Sequence, residues 1–352
     1  MVGLPEPRAV GQTSPLLSDD DHQYLNTAFE LAEQGRGKVS PNPFVGCVIV
    51  ADQQVVGQGF TQPPPGAHAE IQALAQAGSR AHGATVYVTL EPCAHHGRTP
   101  PCAQALIQAG VGRVVIALAD PHAAAAGGAE QLQQAGITVE TDVATVRAAR
   151  QNEIFLHNVA TSRPFVIAKT AISMDGFIAD QAGASQWITG PAARRRGHLL
   201  RAEVDAVVVG SGTATQDDPL LTVRLPRYQG PQPLRVVLDR RGRLHAAGLR
   251  MAADDNPTPL LLAAPDPESV LGILWDRGVR SVLVEGGAQV LGAFLAARLI
   301  DRFEFHLGGL ILGQGLSGVA GAFTLGSAPR LDLANAELCD GDVLVTAYPR
   351  RP

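Results

Sequence analysis

Apolar residues recur along the chain with two different periods. Leu25, Ala28, Phe29 and Ala32 are spaced by three and four, which predicts one face of a helix. Polar residues 18–21 precede it and offer an N-cap. "VGCVIV" (45–50) and "VVGQGF" (55–60) then predict adjacent strands joined by a polar turn. "AEIQALAQAG" predicts a helix stopped at Gly78, "ATVYVTL" (84–90) a strand, and "CAQALIQAG" a helix stopped at Gly110. "RVVIALA" (113–119) and "AEQLQQAG" continue the alternation of strand and helix. A helical stretch from about Val143 to Ala160 runs into the polar, proline-stopped "TSRP", the best candidate for a domain boundary.

A second alternating block follows. Its predicted strands are 165–171, 205–210, 234–239, 259–264, 281–287 and 302–307, with helices over 191–203 and 288–299. Strands alternating with helices predict an α/β fold with parallel pairs in both halves. The chain reads as a floppy lead-in over residues 1–20, a first domain over 21–160 and a second over 161–352.

Composition narrows the class. With 352 residues, 45% hydrophobic and 17% charged, the chain can bury two real cores. A net charge of −5 and 5% aromatics give no basic groove or stacking surface for nucleic acid. No apolar run is long enough for a membrane span, and the first residues lack a signal-peptide pattern, so a cytoplasmic enzyme is expected. Four cysteines make no disulfide framework.

The chemistry is concentrated in two short segments. "AHAEI" (67–71) opens a predicted helix and sets His68 two residues before Glu70. "LEPCAHHGRTPPC" (90–102) carries Cys93 at the end of a strand and Cys102 at the start of a helix. One imidazole and two thiolates suit tetrahedral zinc with an open fourth position for water. Glu70 would be free to shuttle that water's protons. Helix N-termini favour the thiolates. Against this, a lone His-x-Glu is usually a surface accident, and a Cys pair can be a disulfide, though not in this compartment. Cys47, mid-strand in an apolar run, reads as core, and Cys339 and His96 have no assigned chemistry.

The pattern H-x-E…P-C…C is the signature of the zinc nucleoside and base deaminases. The eight-residue gap "AHHGRTPP" between the cysteines, with "SPNPFVGCVIV" (40–50) before it, resembles the deaminase of riboflavin biosynthesis. The resemblance continues over about residues 20–350 to that pathway's bifunctional deaminase–reductases. It implies a cytidine-deaminase-like α/β/α domain followed by a dihydrofolate-reductase-like α/β domain. It also implies one Zn2+ per chain on His68, Cys93 and Cys102, with Glu70 as proton shuttle. Asn42, His95, Arg98 and Asp120 would contact the phosphorylated pyrimidine substrate, and Lys169 would reach back to the same site. His122 stands where the family has a substrate-contacting Asn, which weakens recognition without abolishing it.

In the second half, "KTAISMDG" (169–176), "SQWITG" (185–190), "TATQDDPLLTVR" (213–224) and "VLVEGGAQ" (282–289) carry the resemblance. NADPH would be lined by Ala171, Trp187, Thr213, Asp217 and Gly287. The reductase substrate would be held by Ser185, Arg201, Leu221, Arg224 and Glu285, the two guanidiniums on its phosphate. The family relation implies a homo-oligomer, dimer or tetramer. It also implies an extra strand and turn before residue 281, so the segment after 264 reads as shortened by about 20 residues. "ARRR" (193–196) reads as a solvated helix face. Two other readings stand beside this one: a deaminase whose second half only scaffolds or dimerises, and a nucleic-acid base editor.

Overall fold

Burial with period two builds the first sheet. In β1 (Gly46–Ala51), Cys47 and Ile49 face one apolar layer and Val48 and Val50 the other. The computed structural model describes residues 17–95, 100–122, 125–264, 266–321 and 323–350. The chain divides into two compact units, one ending at Ser162 and the other beginning at Arg163.

In the first unit, β1 is joined by β2 (Gln54–Phe60), β3 (Thr85–Val88), β4 (Arg113–Ile116) and β5 (Thr138–Glu140), in the order β2-β1-β3-β4-β5. The β1 pairs are antiparallel, and β3, β4 and β5 run parallel. Helix α1 (Asp19–Ala32) covers one face, and α2 (Ala69–Ala77), α3 (Cys102–Ala109) and α4 (Gly128–Gln134) the other. Ser18 caps α1 through a reciprocal box with Asp21. Asp21 also accepts from Tyr87 (2.6 Å) and Arg113 (2.6 Å), pinning α1 across β3 and β4.

The helix expected over 143–160 is two, α5 (Thr145–Gln151) and α6 (Glu153–Thr161). Asn152 breaks it. Its buried amide accepts from Phe44 N–H (3.0 Å) and donates to Phe44 O (3.3 Å), a backbone clamp that takes precedence over helix continuity.

The second unit holds an eight-stranded sheet in the order β10-β9-β8-β11-β6-β12-β15-β14. Its strands are β6 (Phe165–Ser173), β8 (Ala206–Gly210), β9 (Leu234–Leu238), β10 (Leu260–Leu262), β11 (Ser281–Val284), β12 (Arg302–Gly308), β14 (Leu331–Cys339) and β15 (Asp342–Pro349). A short pair, β7 (Phe177–Ala179) with β13 (Leu316–Ser317), stands apart. From β10 to β12 all neighbours are parallel; β15 and β14 add an antiparallel edge. The helices are α7 (Pro191–Glu203), α8 (Ser211–Gln216), α9 (Pro267–Asp276) and α10 (Ala288–Ala296).

The segment after 264, expected as a trimmed connection, carries α9. Asp266 caps it by accepting from Ser269 N–H (2.8 Å), Pro267 opens it, and Val270, Leu271 and Leu274 are buried. It supplies the crossover that a parallel sheet needs between β10 and β11.

Candidate active sites

Two helix N-termini converge on the end of β3 in the first unit. Gly57 and Gly59 on β2 let α2 lie directly against the sheet: a Cβ at Gly59 would stand 2.4 Å from Ala69 O, and one at Gly57 2.1 Å from Ala73 O. That contact places His68, the N-cap of α2, and Glu70 in its first turn. Cys102 is the first residue of α3, and Cys93 follows the β3 end through Glu91 and Pro92.

The ligand atoms of His68, Cys93 and Cys102 lie within 4.8 Å of one another. His68 Nδ1 is 3.2 Å from Cys102 Sγ and 3.7 Å from Cys93 Sγ, and Cys102 N–H donates to Cys93 Sγ at 3.4 Å. The hydrogen bond from Cys102, then those from His68 and the α3 backbone, bring the Cys93 thiol down to about 4 against the opposing effect of burial. The Cys102 thiol moves up, held by Cys93 and by burial. Two sulfurs sharing one proton beside an imidazole nitrogen are what a soft dication would replace, so the donor set fits zinc. Glu70 is only 3% exposed, and burial pushes its carboxyl up to about 7 against its own backbone N–H and His68.

Glu91, which the sequence did not single out, braces this site. Its carboxylate accepts from Asp120 N–H (2.9 Å), Gly127 N–H (3.1 Å) and Ala129 N–H (2.9 Å), tying the loop after β4 to the Cys93 strand. Asp120 is buried and close enough to feel the Cys93 charge; burial raises its carboxyl, and it accepts from His122 N–H (2.9 Å). The His122 side chain is exposed, so its imidazole is open to a ligand. Asn42 and His95 are also exposed, on the turns before β1 and after β3. Arg98 and His96 lie outside the described residues.

The second unit carries a cavity of about 1430 Å3 across the C-terminal ends of its parallel strands. That exceeds the roughly 300–1,000 Å3 of an ordinary ligand pocket and suits a dinucleotide with a second molecule beside it. Ala171, Trp187, Thr213, Asp217 and Gly287 all line it, and so do Ser185, Arg201, Leu221, Arg224 and Glu285. Gly287 caps α10, so the helix N-terminus opens into the cavity beside Thr213, a setting for a pyrophosphate. Trp187 is 65% exposed at the wall, with the Arg194 guanidinium 4.4 Å from its ring centroid. Arg194 also donates to Thr189 O (2.7 Å), so one residue of "ARRR" is a cavity residue, while Arg195 and Arg196 face solvent as expected.

Two residues sit differently from a plain phosphate clamp. Arg201 was expected to hold a phosphate with its fork, but that fork is engaged by Glu285 (2.6 and 2.9 Å), with Nη1 on Thr222 O (3.1 Å). Burial alone would raise the Glu285 carboxyl; the Arg201 charge and hydrogen bonds outweigh it and hold it at about 2. Lys169, expected to reach back to the first site, lines this cavity. Its place on β6, one residue beyond the Ala168–Val284 pair, sets it beside Glu285, and burial lowers its ammonium's pKa while Glu285 opposes that shift. His198, unnoticed in the sequence, sets Nδ1 3.2 Å from Thr222 O and 3.3 Å from Arg224 N; burial and the neighbouring arginines bring it down to about 4, so it is neutral.

A His-Cys-Cys centre with a buried carboxylate, followed by a nucleotide-sized cavity on a parallel sheet, defines a zinc-dependent deaminase joined to a reductase. Residues 18–118 match the family model for the cytidine and deoxycytidylate deaminase zinc-binding region, and residues 164–345 match the RibD C-terminal domain. The chain is 38% identical to the riboflavin biosynthesis protein RibD of Bacillus amyloliquefaciens, covering 94% of this chain and 96% of the relative. It is 39% identical to that of Escherichia coli, covering 88% and 94%. The structure superposes on Acinetobacter baumannii RibD with a TM-score of 0.86 at 38% identity, covering 94% of this chain and 99% of the other. A Thermotoga maritima diaminohydroxyphosphoribosylaminopyrimidine deaminase/5-amino-6-(5-phosphoribosylamino)uracil reductase gives 0.87 at 36% identity over the same shares. The chain belongs to the RibD family of riboflavin biosynthesis.

Proposed function

We infer that the chain catalyses two consecutive steps of riboflavin biosynthesis. The first unit removes ammonia from 2,5-diamino-6-ribosylamino-4(3H)-pyrimidinone 5′-phosphate, and the second reduces the ribosyl group to ribityl with NADPH. The observation that carries the reading is the convergence of His68, Cys93 and Cys102 beside buried Glu70.

Zinc, when bound by those three residues, supplies a Lewis acid that makes water a nucleophile near neutrality. Glu70, with a pKa of about 7, is matched to take a proton from water and give it to the departing ammonia as the ring C–N bond breaks. Asp120, held by Glu91, is placed to orient the pyrimidine, with Asn42, His95, Arg98 and His122 as its further contacts.

In the second unit NADPH supplies the hydride. Arg224, whose Nη1 among the described residues donates to Thr222 alone, has the freer fork for the ribosyl phosphate, and Arg201 acts through Glu285. Glu285, held low by Arg201, is ionised in the resting site. The Lys169 ammonium, made easier to deprotonate by burial, is a group in the cavity with a proton for the nitrogen on C1′ as that carbon accepts hydride.

The supporting observations favour two working sites over a scaffold: the cavity retains every expected lining residue. The chain is further read as a cytoplasmic homo-oligomer, dimer or tetramer. That reading is supported by β14, an edge strand exposing Leu333 (72%) and Leu338 (86%), the kind of edge a second copy covers. Among the described residues no helix is long and apolar enough to cross a membrane. The test is stoichiometric. Protein with one zinc per chain should release one ammonia and consume one NADPH per substrate; ammonia without NADPH consumption would leave only the scaffold reading.

A further inference from the structure

One wall of the second unit's cavity is lined by arginines with no role in the reactions described so far. Arg240, Arg241 and Arg243 follow β9 in the segment "DRRGRL" and line the cavity, as does Arg250. All four are exposed, and among the described residues none of their guanidiniums has a hydrogen bond, ion pair or ring contact. Their loop is nevertheless held in place. Gly242 N–H donates to Asp239 O (2.9 Å), Leu244 N–H to Asp239 Oδ2 (2.7 Å), and Arg250 N–H to Asp218 Oδ1 (2.9 Å). A pinned backbone that presents several unpaired guanidiniums to a cavity has the form of a phosphate subsite.

Strand order says which phosphate. The C-terminal ends of β10, β9, β8, β11 and β6 lie side by side along the cavity. Lys169, Ala171 and Glu285 stand at the β6 and β11 end, where the reduction takes place. Gly210 and Gly287, at the ends of β8 and β11, occupy the middle, where a pyrophosphate meets the α10 N-terminus. A dinucleotide with its nicotinamide over β6 and its pyrophosphate there extends its adenosine ribose toward β9. Arg240, Arg241 and Arg243 follow β9 at that place. Arg250 lies toward Arg224, whose guanidinium feels its charge, and so belongs with the substrate's phosphate. The one acidic side chain on the wall of this end, Asp266, is occupied in capping α9 through Ser269 N–H (2.8 Å) and Ser269 Oγ (3.1 Å). Asp239 is buried beneath the loop.

We propose that Arg240, Arg241 and Arg243 hold the 2′-phosphate of NADPH and thereby set the preference for NADPH over NADH. The proposal rests on the reading of this unit as an NADPH-dependent reductase. A hydroxyl offers these guanidiniums no charge, so NADH leaves them as they are, while the 2′-phosphate engages them.

The test is a calorimetric titration of the full-length chain with adenosine 2′,5′-bisphosphate and with 5′-AMP, beside the triple variant Arg240→Gln/Arg241→Gln/Arg243→Gln. The wild-type chain should bind the bisphosphate at least about tenfold more tightly, the scale of one charge-assisted contact, and added salt should narrow the gap. The variant should lose most of that discrimination, and its kcat/KM ratio of NADPH to NADH should fall through a raised KM for NADPH. Equal binding of the two nucleotides by the wild-type chain, or undiminished discrimination in the variant at an unchanged melting temperature, would overturn the proposal while leaving the reductase intact. A chain that binds neither nucleotide nor NADPH would instead remove the reductase reading on which the proposal rests.

Discussion

At the residue scale the two sites depend on carboxylates tuned in opposite directions. Glu70 is raised by burial to a value at which it can take and return protons; Glu285, somewhat less enclosed, is held low by Arg201. Replacing Glu70 with Gln keeps the shape and removes the proton. Deamination should fall by roughly 10²–10⁴, with zinc content unchanged by elemental analysis. Replacing Arg201 with Met leaves Glu285 without its hydrogen-bonded partner and with only Lys169 as a nearby cation, and breaking such a pair costs up to about 3–5 kcal/mol. The sign with pH follows from the lowered carboxyl. Its contribution is fully present above the ordinary carboxylate range and is lost as pH falls from about 4.5 through about 2. Thermal melts should therefore show the Arg201→Met deficit largest near neutrality and shrinking in acid. The zinc donors were legible in the sequence because spacing and residue type suffice for a His-Cys-Cys set. Glu91 was not, since its work is done on three backbone N–H groups that no side-chain pattern announces. Lys169 on the wall of the second cavity was likewise not legible: a position near the boundary says nothing about which side of its strand a side chain takes.

Elements show the same contrast. Strands with strict alternation and helices with a glycine stop, such as α2 and α3, were readable almost to the residue. The break between α5 and α6 was not, because the cause is a clamp on Phe44, more than a hundred residues earlier. Helix α9 was hidden by its proline-rich start, which is itself a capped N-terminus. The edge hairpin β14–β15 was missed because β14 exposes both faces and so has no apolar period. Close packing at the first site gives an element-scale prediction. A Cβ at Gly128, in the first turn of α4, would lie 1.8 Å from Pro92 O, next to Cys93. Gly128→Ala should force α4 away from the Cys93 strand, lower the melting temperature by several degrees, and reduce zinc retention and deamination. NADPH-dependent reduction of an already deaminated substrate should be retained.

On the scale of the whole molecule, each unit has its own apolar core and its own site. A ligand that binds one folded unit stabilises that unit by mass action. Removing zinc with a chelator should lower the melting of the first unit and abolish deamination, and adding NADPH should raise the melting of the second. Calorimetry checks this, and a single transition moved equally by both treatments would show the units to unfold as one. The order of the two reactions is tested most directly by NADPH oxidation in the full chain and in Glu70→Gln. The wild-type chain should oxidise NADPH with either the diaminopyrimidine ribosyl phosphate or its deaminated product. Glu70→Gln should release ammonia at least about a hundredfold more slowly and oxidise NADPH at the wild-type rate only when the deaminated product is supplied. Oxidation of NADPH by Glu70→Gln on the undeaminated substrate at the wild-type rate would contradict the account.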